Sequence, residues 1–317
     1  MKERLINILC CPACGADLRL RVSESADGEV RTGELACSSC DKVYKITNFI
    51  PRFVETDKYV GNFSFEWLFY RKTQLDSHNK SADSLNEFVG KTGFSPAELK
   101  SRMILDVGCG TGRFMEIAGS QGGEVVGVDL SFAVETAVEN MKGRQKAHVV
   151  QADIFHLPFK PGSFDFIYSL GVLHHTPSTS GAFRRVAPLL RAGGDISIWV
   201  YSNESRFEKV RNAFTDFYRF FTSRMPIRLL WWLCHISIPL YYLKKLGKFG
   251  ALLEMIFPTS VSPRAEERVL DTFDWYSPKY QFKHTFAEVE GWFSEVGFKP
   301  RRLGVSVAVT GSKQAKP

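Results

Sequence analysis

The run Ile104-Leu105-Asp106-Val107-Gly108-Cys109-Gly110-Thr111-Gly112-Arg113-Phe114 constrains this chain more than any other feature. A short apolar strand runs into three alternating glycines and then into a helical segment. Glycine at such a turn permits φ > 0 and lets a ligand approach main chain where a Cβ would clash. One glycine-rich turn also serves as a plain structural turn, so the flanking segments decide. Residues 124–131 read EVVGVDLS, an apolar strand ending in Asp129. Residues 149–154 form a third strand ending in Asp153, and residues 164–170 a fourth that is apolar apart from its ends. Acids at successive strand ends predict an open, doubly wound α/β sheet whose ligand lies across the strand ends, where a carboxylate grips ribose hydroxyls.

Residues 100–201 resemble the class I S-adenosylmethionine-dependent methyltransferases, in the branch similar to ubiquinone and menaquinone methyltransferases. The resemblance rests on DVGCGTG, VDLS and ADI, with LPF at 157–159 and LRAGGD at 190–195. It implies a seven-stranded Rossmann-like sheet with S-adenosylmethionine as cofactor. It places Asp106, Gly108 and Gly110 near the methionine end, Asp129 and Leu130 on the ribose, and Asp153 and Ile154 beside the adenine. Ser169, at the end of the fourth strand, joins the same set. A nicotinamide enzyme is the competing reading of the fold, but the spacing is G-x-G-x-G and not the dinucleotide G-x-G-x-x-G.

Four of the seven cysteines form two knuckles, Cys11-Pro12-Ala13-Cys14-Gly15 and Cys37-Ser38-Ser39-Cys40, with 22 residues between them. Two C-x-x-C pairs supply four thiolates for tetrahedral zinc, whereas a redox pair needs only one. Cys10 stands beside Cys11 and competes with it as first ligand. The flanking sequences LCCPACGADL and VYKITNFIPRF resemble the small zinc-ribbon protein that activates RNA and protein methyltransferases. With four thiolates filling its coordination sphere, this zinc is expected to be structural. The expected organisation is a zinc ribbon over 1–56, an appendage to the core, followed by a methyltransferase core with its connector over 57–201. A helical substrate-covering insertion over 202–284 comes next, and residues 285–317 complete the core. In the connector, Trp67 and Tyr70 are candidate lid residues.

Seven cysteines, one of them inside the glycine loop, and a start without a long apolar run predict a reducing, cytoplasmic setting. The net charge of +7 is concentrated: residues 202–249 carry nine Lys and Arg against three Asp and Glu, while residues 1–201 balance. In that segment Phe207, Val210, Phe214, Phe217 and Phe221 recur at helical spacing. Residues 229–243 then run fifteen positions without a Lys, Arg, Asp or Glu, flanked by Arg224, Arg228, Lys244, Lys245 and Lys248. Fifteen residues interrupted by Pro239 fall short of a bilayer's hydrocarbon core of roughly 30 Å. The segment reads as helices roofing the active site, as a peripheral contact with an anionic membrane, or as an RNA-binding surface.

Methyl transfer from a sulfonium is an in-line displacement in which the protein positions the acceptor and removes its proton. His174 and His175 follow the fourth strand and are candidates for that base, as are Tyr276 and His284 in the segment that returns the insertion to the sheet. Residues 298–303 and 305–310 are expected to complete the sheet, with 311–317 as a polar tail. The acceptor is expected to be a small aromatic or lipid-like molecule, methylated on oxygen or carbon. An RNA base methyltransferase and a non-catalytic cofactor-binding protein are the alternatives.

Overall fold

A computed structural model describes residues 1–54 and 75–314. The candidate lid residues Trp67 and Tyr70 lie outside the described residues.

Four short strands come first: β1 (Leu18–Ala26), β2 (Glu29–Cys37), β3 (Val43–Thr47) and β4 (Ile50–Arg52). After helix α1 (Asp83–Thr92), the strand β5 (Met103–Val107) turns through the glycines into α2 (Arg113–Ala118). The rest of the parallel sheet is β6 (Glu124–Asp129), β7 (Ala147–Gln151), β8 (Phe164–Leu170) and β9 (Leu190–Trp199), with α3 (Ala133–Asn140) between β6 and β7. Every residue of β7 and β8 is buried, as expected of parallel strands covered on both faces. Near the C-terminus, β10 (Phe298–Arg302) and β11 (Ala308–Lys313) form a hairpin that adds antiparallel to β9.

The strand order is β1-β2-β3-β4-β7-β6-β5-β8-β9-β11-β10. Strands β7-β6-β5-β8-β9-β11-β10 make the expected seven-stranded core, and the order reverses between β5 and β8. That reversal opens a crevice at the strand ends, where ligands bind in such sheets. The hairpin differs from expectation: β11 starts three residues later and runs to Lys313, because Ser306 and Val307 form the turn, with Val307 at φ 50°. Residues 311–313 are therefore strand and not tail.

The ribbon is not an appendage. Its strand β4 pairs parallel with β7 through Arg52 and Gln151, so the ribbon extends the core sheet to eleven strands. Arg52 Nη1 donates to Gln151 Oε1 at 2.7 Å, its other guanidinium arm pairs with Glu135, and Phe53 N donates to Gln151 O at 2.8 Å. Leu9 bridges Phe159, and Leu5, Leu9, Leu35 and Ile46 share one apolar core with Val126, Val150 and Phe164. Burying these side chains together stabilises the junction by on the order of 1.5–3 kcal/mol each.

The insertion comprises α4 (Arg206–Thr222), α5 (Ile227–Cys234), α6 (Ser237–Leu243), α7 (Gly247–Ile256) and α8 (Ala265–Tyr276), before α9 (Phe286–Glu295) returns to the sheet. Helix α4 starts with a capping box between Ser205 and Glu208. Its orientation reverses the simple amphipathic reading. Asn212, Thr215 and Arg219, at spacings of three and four, are buried, whereas Phe207, Val210, Phe217 and Phe221 are exposed. The cause lies in what the inner face must do. Arg219 donates to Trp275 O at 3.0 Å and Pro278 O at 2.7 Å, and Thr222 Oγ1 donates to Tyr276 O, tying α4 to the end of α8. No helix among the described residues is long and apolar enough to cross a membrane.

Candidate active site and metal centre

The glycine loop is held from below. The amides of Gly108 and Cys109 both donate to Val128 O, at 2.7 and 3.1 Å, docking the loop onto β6. Gly108 lies at φ 83°, and a Cβ there would sit 2.4 Å from the Val172 methyl groups. Only glycine fits at this close approach.

Asp129, at the end of β6, locks the loop. Its Oδ2 accepts from Gly110 N at 2.9 Å, and its Oδ1 accepts from Ser131 N at 2.8 Å and Ser131 Oγ at 2.7 Å. Burial raises its pKa, while the donors on Ser131 and Gly110 pull the other way. The carboxylate thus organises the loop and also lines the cavity above it.

That cavity has a volume of about 570 Å³, within the usual range for small-ligand sites. Gly108, Gly110, Asp129, Leu130 and Ile154 line one end. Of the other expected cofactor residues, three lie behind the wall. Asp106 is buried next to Tyr168, and burial pushes its carboxyl up to about 8, so it is protonated at neutral pH. Asp153 caps the turn Ile154–His156 by accepting from Phe155 N at 3.0 Å. Ser169 Oγ donates to Val107 O at 2.8 Å and stitches β8 to β5. Asp153 and Ser169 thus bond neighbouring main chain, whereas Asp106 Oδ2 is buried without a hydrogen-bond partner.

The other end of the cavity is lined by Trp199, Tyr201, Asn212, Asp274 and Gln281, with Glu87, Lys91 and Arg113 along one side. Arg113, directly after the last loop glycine, donates Nε–H to Ser84 Oγ at 2.9 Å and pairs with Glu87. It thereby fixes α1 against the glycine loop. Lys91 also pairs with Glu87, and its Nζ lies 3.3 Å from the centre of the Trp199 ring. The roof comes from α4 and α8. The stretch 229–243, expected as the roof, contributes none of the lining residues.

The candidate bases separate. His175 lines the cavity; its Nδ1 donates to Tyr280 O at 3.0 Å, a tautomer that leaves Nε2 as the basic nitrogen. Burial lowers it to about 4. His174 is fully buried outside the wall, its ring packed 4.0 Å from Tyr201 and 4.2 Å from His175, and burial drives its pKa well down. Tyr276 points into the core of the insertion, where its hydroxyl donates to Pro258 O at 2.6 Å. His284 bonds Thr179 Oγ1 at 2.9 Å and packs on Trp292, so it braces Tyr201 through the backbone bond from His284 N to Tyr201 O.

Asp274, which no sequence motif marks, lines the cavity. Because α8 runs through Tyr276, positions 274 and 276 face different sides, and the cavity side is Asp274. Asp274 Oδ2 accepts from the Tyr201 hydroxyl at 3.3 Å, while Oδ1 is buried with no hydrogen-bond partner. Gln281 Oε1 in the same wall is likewise unpartnered. Burial first, then the neighbouring Asp271, raises Asp274 to about 7 against the opposing Tyr201 bond and Arg219 charge.

In the ribbon, the sulfurs of Cys11, Cys14, Cys37 and Cys40 all lie within 4.8 Å of one another. Cys11–Cys40, Cys14–Cys37 and Cys14–Cys40 are 3.8, 3.5 and 3.7 Å apart. A zinc–sulfur tetrahedron with bonds of about 2.3 Å has edges of about 3.8 Å, so the set fits one zinc ion. The amides of Ser39 and Cys40, each 3.4 Å from the Cys37 sulfur, stabilise its thiolate. Cys10 is outside the cluster: its amide donates to Pro158 O at 2.9 Å, which turns the chain so that Cys11 is the ligand.

Residues 105–198 match the methyltransferase domain family, and residues 2–48 match the Trm112p-like protein family. The chain carries a class I S-adenosylmethionine-dependent methyltransferase domain preceded by a Trm112p-like zinc ribbon. Malonyl-acyl-carrier-protein O-methyltransferase of Legionella pneumophila is 34% identical over 100 residues, 31% of this chain and 35% of that protein. Sterol 24-C-methyltransferase erg6 of Schizosaccharomyces pombe is 30% identical over 158 residues, 47% of this chain and 40% of that protein. A tRNA U34 carboxymethyltransferase of Shewanella frigidimarina is 31% identical over 180 residues, 54% of this chain and 49% of that protein. The chain thus spans between about a third and a half of the length of these curated relatives.

Proposed function

We propose that this chain methylates an oxygen or carbon of a small aromatic or lipid-like acceptor, with Asp274 as the group that takes the acceptor's proton. The observation that carries the reading is one continuous cavity. At one end it has the glycine loop and Asp129, which fit the ribose and methionine parts of S-adenosylmethionine. At the other it has two unpaired acceptor atoms, Asp274 Oδ1 and Gln281 Oε1. When bound, S-adenosylmethionine supplies an electrophilic methyl group on an already activated thioether. The protein's task is then orientation and proton removal. The unpaired oxygens accept from a hydroxyl or enol, Trp199 and Trp275 flank an apolar body, and a carboxyl near 7 is matched to neutral pH. Neutral His175, at about 4, is the weaker base. Relatives named malonyl-acyl-carrier-protein O-methyltransferase and sterol 24-C-methyltransferase support methylation on oxygen or carbon. The tRNA relative motivates the alternative of an RNA acceptor, and cofactor binding without turnover is the third reading.

Two measurements test it. Calorimetry with S-adenosylhomocysteine should show binding, and its absence at high micromolar ligand ends the proposal. Incubating the purified protein with methyl-labelled cofactor and a cell extract should place label in the solvent-extractable small-molecule fraction. Label in RNA favours the alternative, and cofactor binding with label in neither fraction favours the non-catalytic reading.

A further inference from the structure

The helical insertion turns its apolar side outward. Among the described residues, 21 large apolar side chains are exposed, and 12 of them fall between positions 217 and 253. Phe217, Phe220 and Phe221 on α4 form one aromatic patch with ring centres 5.2–5.7 Å apart, and Trp232, at 68% exposure, is the most open of the set. Leu246, just before α7, and Phe249, on it, are each more than half exposed. A surface of this kind on a water-facing helix marks a contact.

The charges around it say which. From 217 to 253 the sequence has no Asp or Glu. Two of its six cations are committed inside: Arg219 to the carbonyls of Trp275 and Pro278, and Lys244 to Glu254 and Thr259. Arg224, Arg228, Lys245 and Lys248 remain exposed among the apolar residues. A second copy of the chain meeting through the same face would bring these cations against each other with no carboxylate between them. A surface of negative charge and apolar interior satisfies both halves of the pattern. Tryptophan, tyrosine and basic residues around an apolar patch are also the composition of helices lying in a bilayer interface.

We infer that the outward face of α4 to α7 docks on an anionic lipid bilayer, with Phe220 and Trp232 entering the interface and Arg224, Arg228, Lys245 and Lys248 meeting headgroup charge. The face is separate from the cavity wall, which takes Glu208, Arg211, Asn212 and Thr215 from the other side of α4. Docking is therefore independent of the proposed methyl transfer.

The test is sedimentation of the full chain with vesicles. Vesicles containing phosphatidylserine should carry the protein down at low salt, and phosphatidylcholine vesicles should carry much less. Lys245→Ala with Lys248→Ala should weaken binding by about 25-fold, roughly fivefold per cation near a charged surface, and raising the salt should erase the difference. Phe220→Glu with Trp232→Glu should abolish binding while S-adenosylhomocysteine affinity stays at the wild-type value, which shows that the variant is folded. Equal binding to both vesicle types, or none to either, overturns the inference. So does a wild-type dimer in analytical ultracentrifugation that Trp232→Glu converts to monomer.

Discussion

Removing the Asp129 carboxylate tests the organisation of the site most directly, because that one group serves two tasks whose costs are separable. In Asp129→Ala the buried Ser131 amide and the half-buried Gly110 amide lose their acceptor. A buried, unsatisfied donor costs about 1–3 kcal/mol, and the Gly110 amide on the cavity wall can bond water, so the apo protein should lose about 1–3 kcal/mol; the Ser131 hydroxyl can rotate and adds little. At roughly 2–4 °C per kcal/mol for a domain of 150–250 residues, the melting midpoint should fall by on the order of 2–12 °C with no cofactor present. The second cost falls on binding. Hydrogen bonds to a charged acceptor contribute about 1.5–3 kcal/mol, so affinity for S-adenosylhomocysteine should drop roughly 10- to 150-fold. Differential scanning fluorimetry of the apo protein and calorimetry at a temperature well below the new midpoint separate the two. An apo variant that melts with wild type would refute the clamp, and wild-type affinity in a destabilised variant would refute the ribose assignment.

Elemental analysis should find about one zinc per chain, lost in Cys37→Ser with Cys40→Ser and kept in Cys10→Ser; loss in the last variant would displace Cys11 as ligand. With Asp274 as base, turnover should rise as pH climbs through about 7 and level off above it, and Asp274→Asn should leave low activity without that limb; a limb near 4 instead would point to His175. The same upward shift means that Asp274 supports folding below its unfolded value of roughly 3.9 and withdraws that support as pH rises to about 7. Lys244→Ala should destabilise the protein by on the order of 3 kcal/mol, since the lysine side chain is only 4% exposed beside Glu254, whereas Lys248→Ala should leave the thermal midpoint within 2 °C or so of wild type.

The core of the fold was legible because its signals are local: apolar strands, a glycine turn, and acids at strand ends all sit within a few residues of one another. Asp129, Leu130 and Ile154 lie on the cavity for the same reason. Asp106, Asp153 and Ser169 were chosen by the same motifs, yet a motif does not say whether a short side chain faces the ligand or the neighbouring strand. The junction of ribbon and core was hidden because β4 meets β7 through a single residue pair, Arg52 and Gln151, far apart in sequence. The orientation of α4 was hidden for a different reason. Periodicity reports that a helix has two faces, and the usual inference puts the apolar one inside; here the polar face builds the cavity and binds the carbonyls of Trp275 and Pro278.

The meeting of β4 with β7 also bears on how the chain avoids aggregation. Without the ribbon, β7 would be the outer strand of a parallel sheet, presenting unpaired main-chain groups and, beneath them, Val126, Val150 and Phe159, now covered by Leu5 and Leu9. Open edges of that kind template pairing with other chains. The ribbon occupies this edge through Arg52, Phe53 and Lys2, so a fragment that begins at residue 75 is the wrong piece to express.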